Sequence, residues 1–72
     1  METRREQGTV KWFDEGKGYG FITPDTGHKD LFFHHSHIDM LEGVIDKGER
    51  VEYEIFDGQR GLEARRVRVL SS

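Results

Sequence analysis

The chain has 72 residues, 14 acidic and 11 basic side chains, a net charge of −3 and no cysteine. That length allows one domain with a small core, and the lack of cysteine excludes a disulfide framework, a thiolate metal site and a thiol nucleophile. The polar residues 1–7 are followed by no apolar run that could serve as a signal peptide or membrane span, so a soluble, cytoplasmic protein with no membrane partner is expected.

A net negative charge is not the usual footprint of a nucleic-acid binder, but the charge is unevenly spread. Residues 36–58 hold seven acids (Asp39, Glu42, Asp46, Glu49, Glu52, Glu54, Asp57) against Lys47 and Arg50. Residues 59–72 reverse the balance, with Arg60, Arg65, Arg66 and Arg68 against Glu63. The plainest reading of such charges is a solvated surface that maintains solubility.

Residues 1–7 are expected to be a flexible leading segment and residues 8–70 the domain. Gly8 to Phe13 is rich in β-branched and aromatic residues and runs into the polar loop Asp14–Gly18, which predicts a first strand. Tyr19 to Thr23 predicts a second, ended by a turn at Pro24-Asp25-Thr26-Gly27. Asp30 to His34 predicts a third, whose alternation sets Leu31 and Phe33 on one face and Phe32 and His34 on the other. Ser36 to Asp46 shows neither period and suggests a short helical turn and a loop. Arg50 to Phe56 alternates Val51, Tyr53 and Ile55 with Glu52 and Glu54, the pattern of a half-buried fourth strand. A hairpin at 57–61 leads into a fifth strand, Leu62 to Leu70, where Leu62 and Val67 fall on opposite parities and imply a bulge. Five short strands without a long helix predict an all-β fold, a closed or nearly closed antiparallel barrel, because closure removes exposed edges.

Tyr19 and Phe21 share one strand face, and the glycines around them are expected to leave their rings uncovered for stacking on bases; a buried core pair is the plainer alternative. Phe32 and His34 offer a second ring and an imidazole. Trp12 and Phe13 beside Lys11 add the basic and aromatic mixture used by single-strand binders. Alternation cannot turn both rings outward, so Trp12 is expected outside and Phe13 partly buried.

Gly8-Thr-Val-Lys-Trp-Phe13, Lys17-Gly-Tyr-Gly-Phe-Ile22 and Asp30-Leu-Phe-Phe-His34 resemble the cold-shock domain family over nearly the whole chain. The resemblance implies a five-stranded OB-fold barrel with two ribonucleoprotein motifs on adjacent strands. It implies binding roles for Lys11, Trp12, Lys17, Tyr19, Phe21, Phe32 and His34, with Phe13 and His35 at the margin. It also implies single-stranded RNA or DNA as partner, pyrimidines tolerated, and roles in RNA chaperoning and in transcription or translation. A monomer without cofactor is expected. The chain departs from the pattern in four places. The loop from Asp39 to Asp46 lacks a stacking phenylalanine, and His35 stands at a commonly aromatic position. Phe33 replaces a smaller aliphatic residue. Leu62-Glu-Ala-Arg-Arg66 replaces a neutral stretch, which would add phosphate contacts from Arg65 or Arg66.

Four other readings compete. An RNA-recognition motif needs two amphipathic helices and the opposite motif order. His28, His34, His35 and His37 invite a metal site, but alternation would point His34 and His35 to opposite faces. An enzyme needs paired catalytic groups in a cleft, whereas Asp14 with Glu15, and Asp25 with Asp30, sit in or beside turns. An SH3-like module that binds extended peptides is the remaining alternative.

Overall fold

The computed structural model describes residues 5–27, 29–39, 45–58 and 61–70. It contains β1 (Arg5–Asp14), β2 (Tyr19–Pro24), β3 (Leu31–His34), a 3₁₀ turn (His35–His37), β4 (Arg50–Gly58) and β5 (Gly61–Val69). The strands close into a barrel in the order β1-β2-β3-β5-β4. All neighbours are antiparallel except β3 and β5, which close the barrel in parallel at Phe32 and Glu63. Ile38, just past the 3₁₀ turn, adds a parallel bridge to Val67.

β1 begins three residues before the expected Gly8. Residues 5–7, expected to be flexible, are strand because Arg5, Glu6 and Gln7 pair with Glu54, Tyr53 and Glu52. The guanidinium of Arg5 also bridges Glu52 and Glu54, both at 3.1 Å. Met1 to Arg4 lie outside the described residues. The same long strand pairs with β2 through its later residues, so one strand serves both neighbours and helps to close the sheet.

Val10, Ile22, Leu31, Phe33, Val51, Tyr53, Ala64 and Val67 fill the barrel, joined by Ile38 and Ile45. The alternation expected for β3 and β4 accounts for Leu31, Phe33, Val51 and Tyr53. In β5 the expected bulge falls at Arg66, which takes a left-handed φ of 51°. The β4–β5 register slips between Glu52 and Glu54 at that point. The extra residue turns both Ala64 and Val67 inward. Leu62, which shares the parity of Ala64, sits at the hairpin end beyond the core and is 54% exposed.

The oversized Phe33 is accommodated by two neighbours. Its ring stacks on Phe13 at 5.6 Å, and a Cβ built on Gly20 would come within 3.1 Å of its Cε1 and collide with the Trp12 carbonyl. Gly20 is therefore required by close approach of β1 and β2 beneath a large core ring. This corrects the expectation that it serves to leave surface rings uncovered.

Tyr53 is fully buried and donates its hydroxyl to the Gln7 carbonyl at 3.3 Å. Burial, aided by the Glu6 and Asp25 carboxylates, pushes its phenol from 10.0 up to about 12. A raised folded value means that this stability is fully present below the unfolded value and is lost as pH rises through the folded one. Urea denaturation should therefore show a loss of about 2–3 kcal/mol as pH climbs through that window. Tyr53→Phe should remove that part of the decline.

Candidate nucleic-acid interface

Trp12, Tyr19, Phe21, Phe32 and His34 gather on the outer wall of β1, β2 and β3, and each is partly exposed. Trp12 reaches that wall because of a bulge. The β1–β2 register shifts between Val10 and Trp12, leaving Lys11 as the extra residue. Strict alternation from buried Val10 would have sent the indole inward. Instead Val10 and Phe13 face the core and Trp12 faces out.

The rings support one another, with Phe32 stacked on Tyr19 at 29° and the other pairs tilted or edge to face. Trp12 meets Tyr19 at 5.4 Å and 70° and Phe21 at 5.2 Å and 49°. Phe32 lies against Tyr19 at 5.5 Å and presents an edge contact to Phe21 at 6.0 Å and 78°. These contacts fix the ring planes, and each ring remains partly exposed, so the wall offers several preoriented platforms.

His34 sits opposite Tyr19 on the adjacent strand. Its Nδ1 accepts the backbone N–H of Ser36 at 3.2 Å and lies 2.9 Å from the Ser36 hydroxyl. A backbone N–H can only donate, so Nδ1 is the acceptor and the neutral ring carries its proton on Nε2, a donor for a base edge. His35 does not point to the opposite face. The strand ends at His34, and the 3₁₀ turn brings the two rings to 4.4 Å. His35 is exposed and fills the space over Gly18, where a Cβ would come within 2.5 Å of its Cδ2.

Phe13 is not brought into the patch; its ring contact is with core Phe33. Lys17 is exposed in the β1–β2 turn, its backbone N–H capped by Asp14 at 3.0 Å. Lys11 is exposed, but its ammonium pairs with Asp30 at 2.9 Å, which holds the Asp30 carboxyl below its ordinary range. Sequence reasoning did not foresee that pairing. Solvent screens an exposed ion pair of this kind strongly, so a phosphate can compete for Lys11.

The charge distribution resolves the objection raised by the negative total. Glu52 and Glu54 lie on the β4 wall among Arg5, Arg66 and Arg68, and Asp25 is held by Arg50. Arg66 ion-pairs there with Glu54 at 3.9 Å, so it belongs to that wall. Arg65 instead lies over the exposed ring of Phe56, a neighbour that went unnoticed in the sequence although Phe56 continues the outward parity of Glu52 and Glu54. Within the loop from Asp39 to Asp46, where a stacking phenylalanine is lacking, residues 40–44 lie outside the described residues, as does His28. Among the described residues no group of three His, Asp or Glu side chains is placed to hold a metal ion. No helix among them is long and apolar enough to cross a membrane.

Five strands in this order, with rings on the outer wall of β1 to β3, define an OB-fold barrel, a known nucleic-acid-binding fold. The sequence model of the 'Cold-shock' DNA-binding domain matches residues 6–70. The chain is 51% identical over 63 residues to Cold shock-like protein CspA of Stigmatella aurantiaca, covering 85% of this chain and 91% of that one. It is 49% identical to Cold shock-like protein CspE of Escherichia coli K12, covering 85% and 90%. A solved Drosophila structure, Unr CSD456, superposes with a TM-score of 0.81 at 31% identity, over 94% of this chain and 27% of that longer one. The chain belongs to the cold-shock domain family.

Proposed function

We propose that the chain binds single-stranded RNA or DNA by stacking bases on Trp12, Tyr19, Phe21, Phe32 and His34, with Lys11 and Lys17 meeting phosphates. The observation that carries this reading is the mutually braced ring cluster on three adjacent strands. Each stacked base contributes roughly 1–3 kcal/mol, and every base has a ring face, so pyrimidines are tolerated without a strict sequence code. His35, beside Gly18, lies at the rim of the path, and Phe13 supports it from within by packing on Phe33.

A wall that accepts only unstacked bases binds the unpaired form of a hairpin and shifts its equilibrium by mass action without ATP. On that basis the protein acts as an RNA chaperone, in the cytoplasm and as a monomer, and regulates transcription or translation by opening or masking weak structure. The test is the melting of a weak RNA hairpin with increasing protein. Its midpoint should fall as protein is added, and an oligopyrimidine should compete for the protein. Equal affinity for hairpin and single strand, with an unchanged melt, would contradict the chaperone reading.

A further inference from the structure

The outer wall does not stop at β3. Phe32 on β3 stands beside Glu63 on β5, and Glu63 stands opposite Phe56 on β4. The three side chains therefore lie abreast across the barrel, with Phe56 two strand spacings, roughly 9.5 Å, from Phe32. Phe56 follows the outward parity of Glu52 and Glu54 and is 42% exposed. Arg65, opposite Glu54, is the diagonal neighbour of Phe56, and its Cζ lies 3.7 Å from the ring centroid. Its Nε donates to Glu63 at 2.9 Å, which fixes the guanidinium and offsets the carboxylate lying between the two aromatic positions. Among the described residues the terminal nitrogens of Arg65 carry no hydrogen bond.

A guanidinium held over a phenyl ring keeps one planar face and two terminal donors for a ligand. Stacking on a base and bidentate donation to a phosphate are the interactions that geometry suits. We propose that Arg65, braced by Phe56 and Glu63, is a further nucleotide subsite. A base stacks on the outer face of its guanidinium and the adjoining phosphate meets its terminal nitrogens. The subsite carries the bound strand from Phe32 across β5 toward β4. This rests on the single-strand binding proposed above and sets how long a strand the protein engages.

The test follows Trp12 fluorescence during titration with oligothymidylates of about four to about ten nucleotides, within the range of about 4–16 that such barrels engage. Wild-type protein is compared with Arg65→Ala, Phe56→Ser and the double variant Arg65→Ala/Glu63→Gln. Both single variants should bind the shortest oligomer as wild type does and the longest about tenfold more weakly. Arg65→Ala should also make the salt slope for the longest oligomer shallower by about 0.7. The double variant separates loss of the subsite from exposure of the Glu63 carboxylate: the defect should persist in it. Length-independent effects, no effect, or recovery in the double variant would overturn the subsite while leaving the ring patch intact. Absence of any quenching in wild type would overturn both.

Discussion

Phe32→Ala is expected to weaken binding of a short single-stranded oligonucleotide by about 5- to 150-fold, the equivalent of one stacked base. The upper part of that range applies because Phe32 is also a brace. It lies against Tyr19 at 5.5 Å and against Phe21 at 6.0 Å, so its removal frees two further platforms. The ring is only partly buried and lies outside the core cluster. Stability should therefore change by about 1–3 kcal/mol, the worth of its two aromatic contacts. Titration at fixed salt, with urea denaturation as control, separates the two effects. A variant that binds normally would remove Phe32 from the interface, and one that unfolds would place it in the core.

Phe33→Ala should act on the fold alone. Phe33 is fully buried, stacked on Phe13, and seated over the space that Gly20 leaves open. Truncating such a ring costs about 3–5 kcal/mol, against a total stability of about 4–11 kcal/mol for a domain of this size. A large fraction of the variant should therefore unfold at moderate temperature or low denaturant. Phe33→Ile, which retains much of the volume, should cost less. A loss below about 1 kcal/mol for the alanine variant would show that the core collapses around the gap, contrary to the tight seat between Phe13 and Gly20.

The two neighbours Phe32 and Phe33 show what a sequence discloses. Simple alternation assigned one ring to the wall and the other to the core, because β3 is regular across its four residues. β4 was legible for the same reason. Trp12 was placed outward correctly, but the cause was hidden: the extra residue in β1 is Lys11, and nothing in Val10-Lys11-Trp12 announces a bulge. The bulge in β5 did leave a trace in the mismatched parity of its apolar residues, although the residue that takes the strained φ is Arg66. Contacts between distant segments left no trace. Lys11 with Asp30 and Arg65 over Phe56 arise from barrel closure, which no local pattern encodes. The proximity of His34 and His35 was missed because alternation was carried one residue past the end of the strand.

Glycine has another task here than the uncovering of surface rings that its position in the sequence suggests. Gly20 and Gly18 do lie beside the stacking residues, yet one makes room for the β1 backbone and Phe33 and the other for the His35 ring. Gly20 acts by close approach, and Gly18 also supplies the left-handed φ of 78° that its turn takes; together they fix the sheet that carries the platforms. Their effect on the exposed rings is indirect, through the spacing of β1 and β2 and the position of the turn that follows β3.

The central claim, that bases stack on a wall centred on Trp12, is tested most directly by titrating the fluorescence of this single tryptophan with a short oligopyrimidine at low and moderate salt. Strong, saturable quenching with a salt slope of about −1.4 is predicted, since the two phosphate contacts at Lys11 and Lys17 accompany the stacking. Absence of quenching in the folded protein would contradict the account, as would a much steeper slope of the kind produced by binding through charge alone.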